Sequence, residues 1–158
     1  MHLQQEFSTP EHVDATWRVG IVHSTYYKEE NDALVTGAQQ TLVQAGIDPA
    51  NISLHPVLGS FEVPLIGAAL AKEGAVDALM GFGIIVAGET QHDAHLAREV
   101  ARGIMDVQLQ YQLPFAYEVL HVETIEQARQ RAGESENKGI EAAFAVLHSL
   151  AELARIQS

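Results

Sequence analysis

Ala78-Leu-Met-Gly-Phe-Gly-Ile-Ile-Val86 is the stretch of sequence that decides the fold. Every residue in it is apolar or glycine, so the segment can be buried on both of its faces. A strand of this kind is typical of the centre of a parallel sheet, where helices cover both sides. We therefore expect the residues around it to alternate between helices and further strands.

The segments on either side of this strand follow that expectation. Apolar runs predict further strands at residues 18–23, 52–57 and 115–121, and helical apolar spacing predicts helices at 29–45, 64–73, 92–113 and 137–153. Gly46 and Gly74 end the first two helices, while Thr124 and Gln127 form a capping box that begins a short one. The pattern predicts an α/β fold, a three-layer αβα sandwich with a central parallel four-stranded sheet.

The first 16 residues differ from the rest of the chain. They are polar, include Pro10 and show no regular spacing of apolar residues. We expect an N-terminal arm at residues 1–16, followed by one domain at residues 17–158, a length that suits a single core. Such arms are often disordered, but some pair with a neighbouring subunit.

Composition excludes several classes of partner and chemistry. The net charge of −12, from 21 acidic and 9 basic residues, argues against nucleic acid and anionic membranes as partners. The absence of cysteine excludes disulfides, thiolate metal sites and a cysteine nucleophile. No apolar run is long enough to span a bilayer and no leader pattern is visible, so we expect a cytoplasmic protein.

Ligands of open parallel sheets bind beyond the carboxyl ends of the strands. In this chain the loops in question are residues 24–27, 59–62, 87–92 and 121–124. The segment Gly88-Glu-Thr-Gln-His92 opens a helix, where free backbone N–H groups and the dipole favour a phosphate. An equally weighted alternative is that Thr90 only caps the helix.

His92 is a candidate proton-transfer residue beside this anion site. Its imidazole titrates near neutrality, although a plain surface position is the alternative for one of eight histidines. With Asp93 and His95 it also suggests a metal site, because His92 and His95 share a helical face. The spacing supplies no third strong ligand, so a metal-dependent hydrolase is the weaker interpretation.

Two loops offer groups for a planar, hydroxylated ligand. Glu62 can accept hydrogen bonds from sugar-like hydroxyls, while the backbone of Ser60 and Phe61 contacts a ring. The alternative is a turn with a buried Phe61 and a solvated Glu62.

Tyr26 can stack on a heterocycle or form part of a wall, and Tyr117 has the same two interpretations. Arg131 suits a phosphate, but its alternative is a cation that binds carbonyls at a helix end.

Several short segments follow one another in a distinctive order. They are Gly20-Ile-Val22, Tyr26, Gly59-Ser-Phe-Glu-Val-Pro64, Gly88-Glu-Thr-Gln-His92, Ile125-Glu-Gln-Ala128, Arg131-Ala-Gly133 and Asn137-Lys-Gly139. In their joint order and spacing, these segments resemble those of the lumazine synthase family. The resemblance runs from about Val19 to the last helix.

The resemblance implies a flavodoxin-like fold and an enzyme of riboflavin biosynthesis. Members condense 5-amino-6-(D-ribitylamino)uracil with 3,4-dihydroxy-2-butanone 4-phosphate and need neither cofactor nor metal. It also implies roles at matching positions. Tyr26 would stack on the uracil ring. The ring and the ribityl chain would be held by Ser60, Phe61 and Glu62. The pyrimidine edge would be bound by the main chain of Ile84, Ile85 and Val86.

The remaining implied roles concern the phosphate and the proton. Glu89 and Thr90 would bind the butanone phosphate together with Arg131, and His92 would transfer protons. Tyr117 would come from a neighbouring subunit, and Lys138 would lie near the ring or the phosphate.

The chain also departs from the usual residues of the family. The departures are Leu58 for proline, Ala87 for a basic residue, Asp93 and His95 for aromatic residues, Glu118 for a small residue, and His121-Val122 for a threonine pair. They motivate an alternative function, a non-catalytic cage-forming or flavin-binding homologue.

Assembly is part of what the resemblance implies. Members form pentamers, and some close sixty subunits into an icosahedral capsid. The short connection Gly133-Glu-Ser-Glu-Asn137 looks more like that of the shell-forming members, although a decamer stays open. Riboflavin synthase is a further partner that the resemblance suggests.

Overall fold

The computed structural model of the chain describes residues 6–88 and 92–158. Within these residues, one all-parallel sheet contains β1 (Val19–Ser24), β2 (Ile52–Val57), β3 (Ala78–Val86) and β4 (Phe115–Val122). The strand order β2-β1-β3-β4 is that of a flavodoxin-like sheet without a fifth strand. The predicted four-stranded parallel sheet is therefore confirmed, with the first strand shifted by one residue.

Five helices connect and cover these strands. They are α1 (Lys28–Ala45), α2 (Val63–Lys72), α3 (His92–Tyr111), α4 (Ile125–Arg131) and α5 (Lys138–Gln157). The third helix ends before the predicted residue 113 because Gln112 adopts a left-handed backbone conformation, with φ of 53°. Among the described residues, no helix combines the length and apolar character that a membrane crossing requires.

The core lies in two layers, one on each face of the sheet. On one face, α1 and α5 pack together with Leu34, Leu42 and Leu147 fully buried. On the other face, α2 and α3 pack over Leu79 and Phe115. All of β3 is buried except Val86, as expected for a strand that is apolar on both faces. The predicted three-layer arrangement is confirmed.

Asparagine and threonine side chains begin the last two helices, as the sequence predicts. Thr124 accepts a hydrogen bond from the backbone N–H of Gln127 at 3.4 Å. Asn137 Oδ1 accepts from the backbone N–H groups of Gly139 and Ile140 at 2.8 and 3.3 Å. These bonds satisfy donors that a helix start otherwise leaves free.

The described part of the N-terminal arm lies against its own chain. Phe7 stacks on Phe144 of α5, with ring centroids 5.6 Å apart. The Nε2 atom of His148 is 2.7 Å from the carbonyl oxygen of Ser8. Phe7 and Ser8 thus lie against α5 of the same chain, whereas the carbonyl of Ala15 accepts from the backbone N–H of Asp48 at 3.1 Å. The boundary between arm and domain stays a prediction.

Candidate active site

The topology of the sheet predicts a crevice at the carboxyl ends of β1 and β3, where the strand order reverses. The helix that follows β1 packs on one face of the sheet, and the helix that follows β3 packs on the other. The two loops therefore diverge, which is the arrangement that leaves room for a ligand in folds of this kind. Among the described candidates, Tyr26, Ser60, Phe61, Glu62 and His92 follow the carboxyl ends of β1, β2 and β3.

Tyr26, directly after β1, has a fixed backbone and an exposed ring. Its backbone N–H donates to Ser24 Oγ at 3.1 Å, and its carbonyl accepts from Asn31 Nδ2 at 2.6 Å. Thr25 is held to the end of β2 by its N–H, 2.9 Å from the carbonyl oxygen of Val57. The ring itself is 62% exposed, so a planar ligand can stack on it.

The loop after β2 folds into a short 3-10 helix, Ser60–Glu62. Ser60 is buried against β3, where a Cβ atom on Gly83 would lie 2.2 Å from Ser60 Oγ. Phe61 is 64% exposed and Glu62 is partly buried. The expectation of a buried Phe61 in the alternative is therefore wrong, because it is Ser60 that is buried beneath the turn.

The end of β3 presents main chain to the crevice. The side chains of Ile84 and Ile85 are buried, so they take part in the core. Pairing with β4 continues to Val86, opposite Val122, and the N–H of Ala87 donates to the carbonyl of Val122 at 2.8 Å. Any polar contact from Ile84, Ile85 or Val86 must come from backbone groups.

His92 is exposed and begins α3. The neighbouring Asp93 makes two contacts at this point. Its Oδ2 atom lies 2.7 Å from His121 Nε2, and its Oδ1 atom accepts from the N–H of Gly88 at 3.4 Å. The hydrogen bond with His121 is the main reason that the pKa of the Asp93 carboxyl is lowered. Glu89 and Thr90 lie outside the described residues.

The metal interpretation receives no support from the geometry of the described residues. Across residues 6–88 and 92–158, no group of three histidine, aspartate or glutamate side chains is arranged to hold a metal ion. The carboxylate of Asp93 is instead bonded to His121 and Gly88.

Arg131 lies at the end of α4 and binds a carbonyl of its own helix. Its Nη1 atom donates to the carbonyl of Gln127 at 3.1 Å, which is the helix-end contact that the sequence offered as an alternative. Arg129 ties the same helix to α1, with Nε 3.2 Å from Oε1 of the buried Glu30. This ion pair fixes the helix that carries Arg131.

Lys138, at the start of α5, interacts with two carboxyl groups. The Nζ atom of Lys138 lies 2.7 Å from Glu141 Oε2. Burial raises the pKa of the Glu118 carboxyl to about 7, an effect that the charge of Lys138 opposes and that of Glu141 reinforces. Lys138 is therefore paired with Glu141 and acts on Glu118 through its charge.

Tyr117 does not share the position of the other candidates. It lies within β4, opposite Gly81, and well before the end of the strand at Val122. Its side chain is 41% exposed, and burial of the hydroxyl, followed by the charge of Glu118, raises its pKa. Tyr117 therefore lies five residues before the carboxyl end of its own strand, apart from the loops that carry the other candidates.

Sequence reasoning missed two contacts that shape this region. The ion pair of Glu30 with Arg129 joins positions 99 apart in the chain, and the hydrogen bond between Asp93 and His121 joins positions 28 apart. For the contact between Asp93 and His121, the sequence offered one indication: both residues are among the departures from the resembled family.

Comparison with known proteins identifies the family of the chain. A sequence model of the family described as 6,7-dimethyl-8-ribityllumazine synthase matches residues 16–154. A 6,7-dimethyl-8-ribityllumazine synthase of Stenotrophomonas maltophilia (strain K279a) is 40% identical over 147 residues, which cover 92% of either chain. The chain belongs to the 6,7-dimethyl-8-ribityllumazine synthase family.

Proposed function

We propose that the chain is an enzyme that forms 6,7-dimethyl-8-ribityllumazine in the penultimate step of riboflavin biosynthesis. It condenses 5-amino-6-(D-ribitylamino)uracil with 3,4-dihydroxy-2-butanone 4-phosphate and releases phosphate and two waters. The observation that carries this proposal is family membership over residues 16–154, which include every candidate site residue. The crevice beyond β1 and β3 is where the fold favours a ligand.

The uracil substrate occupies the side of the crevice near β1 and β2. The exposed ring of Tyr26 stacks on the pyrimidine, and the exposed Phe61 adds a second apolar surface. The main chain at Ser60 and Phe61 and the carboxylate of Glu62 bind the ring and the ribityl hydroxyls. Backbone groups of Ile84, Ile85 and Val86 pair with the pyrimidine edge, which suits a strand end whose isoleucine side chains are buried.

The butanone phosphate occupies the side near the start of α3. The proposed ligands are Glu89 and Thr90, through the helix start, together with Arg131. Arg131 reaches the substrate by giving up its bond to the carbonyl of Gln127, an exchange of a neutral acceptor for a charged one. The phosphate is thereby held while the ketone carbon faces the amine of the uracil.

His92 moves the protons that this condensation requires. The amine attacks the ketone, the carbinolamine loses water to give an imine, and the phosphate leaves by elimination before ring closure releases the second water. Each step needs a proton to leave one atom and reach another, for which an exposed imidazole at the helix start is suited. Both substrates are reactive, so holding them in register supplies much of the acceleration.

The position of Tyr117 supports a site that is shared between subunits. Because it lies away from the carboxyl edge of its own sheet, we propose that it completes the site of a neighbouring copy, with Lys138 near the ring or the phosphate. The assembly is a pentamer or a shell built from pentamers, formed by residues 17–158, with residues 1–16 as an arm. Its cytoplasmic location and an association with riboflavin synthase belong to the same proposal.

Complementation of a bacterial strain tests this function. The strain lacks its own lumazine synthase and therefore requires added riboflavin for growth. We expect the wild-type chain to restore growth without riboflavin, and the His92→Ala and Arg131→Ala variants to restore it slowly. His95→Ala, an exposed histidine on the same helix, is the matched control and should restore full growth. Failure of the wild type, at normal protein levels, would favour the non-catalytic cage or flavin-binding alternative.

A further inference from the structure

The side chains of Asp93 and His121 meet at the start of α3. The distance between Asp93 Oδ2 and His121 Nε2 is 2.7 Å. The Asp93 side chain is 15% exposed and that of His121 is 36% exposed, so the bond lies at the surface with its carboxylate partly covered. The two residues are 28 positions apart in the chain, so their bond links separate segments.

The pair joins three segments of the chain at the edge of the crevice. His121 lies near the end of β4, opposite Ile85 of β3. Asp93 lies in the first turn of α3, and its second carboxylate oxygen accepts from the N–H of Gly88, just beyond β3. One carboxylate therefore connects the ends of two strands to the helix that His92 begins.

The charge of Asp93 needs a partner at this place. A carboxylate beside the start of α3 would repel a phosphate that approaches the same helix end. The hydrogen bond from His121 draws the carboxylate toward β4 and satisfies one of its oxygens. Residue 87, just beyond β3, is alanine, so no cation at this position offsets Asp93.

We propose that Asp93 and His121 are positioning residues for the condensation: their bond fixes His92 relative to the two strand ends, and His121 keeps the Asp93 carboxylate away from the incoming phosphate. This inference rests on the proposed function for its effect on catalysis. Its structural part, the anchoring of the start of α3, does not depend on activity.

Steady-state kinetics of single and double variants separate the two effects. We expect Asp93→Ala and His121→Ala each to lower kcat about tenfold, with the double variant no slower than either single one, since coupled residues are not additive. His121→Ala should also raise KM for the butanone phosphate, because it leaves the carboxylate unpaired. Adding Asp93→Ala to His121→Ala should bring that KM back, a result that simple loss of structure does not produce.

Conservative and remote variants serve as controls. His121→Gln keeps an N–H donor that can reach Asp93 and should retain most of kcat. Glu99→Ala removes another acidic residue of α3, which pairs with Arg102 at 2.6 Å on the exposed face of the helix. We expect this variant to leave kcat and both KM values unchanged.

Hydrogen exchange of the peptide that contains the start of α3 gives a readout without turnover. We expect faster exchange there in Asp93→Ala and His121→Ala, and wild-type exchange in Glu99→Ala. If the wild type makes no lumazine, the proposed function fails while exchange still tests the anchoring. Unchanged exchange in both single variants, or effects on kcat that multiply in the double variant, would overturn the inference.

Discussion

His92 is the residue on which the chemical account depends most. It lies exposed at the first position of α3, and it is the candidate for proton transfer between the bound substrates. We expect His92→Ala to lower kcat about 100-fold, with little change in KM for either substrate, because general acid–base catalysis contributes about 10²- to 10⁴-fold. His95→Ala is the matched control for the same helix, and an equal loss in that variant would contradict the role of His92.

At the residue scale, the sequence predicts candidate positions better than contacts. The rule that ligands bind beyond parallel strands selected the loops of Tyr26, Ser60 and His92 without any structure. The exposure of Phe61 was not predictable, because it depends on Ser60 filling a space beside Gly83 on another strand. The pairing of Asp93 with His121 likewise depends on the register between β3 and β4, which no local pattern contains.

At the scale of single elements, Asn137 holds the start of α5 through both ends of its amide. Oδ1 accepts from two backbone N–H groups of α5, and Nδ2 donates to the carbonyls of Ala33 and Ala132 at 3.1 and 3.2 Å. We expect Asn137→Ala to lower the free energy of unfolding by about 2–4 kcal/mol, the combined effect of a lost cap and unsatisfied carbonyls.

Chemical denaturation measures this loss, and two further variants sharpen it. Asn137→Asp keeps the acceptor but loses both donors, so it should fall between the wild type and Asn137→Ala. Glu136→Ala changes the exposed residue before the cap and should leave the free energy of unfolding within about 0.5 kcal/mol. Equal stability of Asn137→Ala and the wild type would contradict this account of the helix start.

Glu118 on β4 makes the stability of the chain depend on pH. Burial raises the pKa of its carboxyl from 4.5 to about 7 in the folded chain, so the unfolded chain releases this proton first as pH rises. The contribution of Glu118 to stability is therefore complete below pH 4.5 and declines between pH 4.5 and 7.

The variant Glu118→Gln removes this dependence, because glutamine stays neutral. We expect the variant and the wild type to have the same free energy of unfolding near pH 4.5. Above pH 7, we expect the free energy of unfolding of the variant to be higher by about 3 kcal/mol. Glu73→Gln, at an exposed position after α2, should follow the wild type at every pH. A difference between Glu118→Gln and the wild type that is constant with pH would contradict the assignment.

The sequence predicts the existence of elements more firmly than their ends. Buried strands with apolar residues on both faces, such as β3, match the structure residue for residue. The end of α3 was placed too late, because Leu113 continues the apolar pattern while the left-handed backbone of Gln112 has already ended the helix. Apolar spacing reports which face is buried, whereas a helix end is decided by the backbone of one residue.

At the scale of the whole molecule, the fold was predictable because one signal repeats along the chain. Each strand is followed by a helical segment, and this alternation leaves few arrangements other than a parallel sheet between two helix layers. The placement of Phe7 and Ser8 against α5 was not predictable, since it depends on isolated contacts such as Phe7 on Phe144. The proposed assembly rests instead on the position of Tyr117 within β4.

A mixing experiment tests the proposed sharing of the site between subunits. We expect the wild type to elute with the mass of five 17.2-kDa chains or a multiple of it. His92→Ala and Tyr117→Ala should each be slow alone, but chains unfolded and reassembled together should regain part of the activity. In a mixed assembly, some sites receive His92 from a Tyr117→Ala chain and Tyr117 from a neighbouring His92→Ala chain, so they contain both residues. Full activity in a monomer, or no recovery on mixing, would contradict a shared site.

The most direct test of the central claim is the rate at which purified chain forms 6,7-dimethyl-8-ribityllumazine from its two proposed substrates. Product fluorescence follows the reaction, and the same mixture without protein gives the slow spontaneous condensation. The account predicts a rate that is proportional to protein concentration, saturates with each substrate and stands well above the spontaneous one. A rate no higher than that of the substrates alone would contradict it.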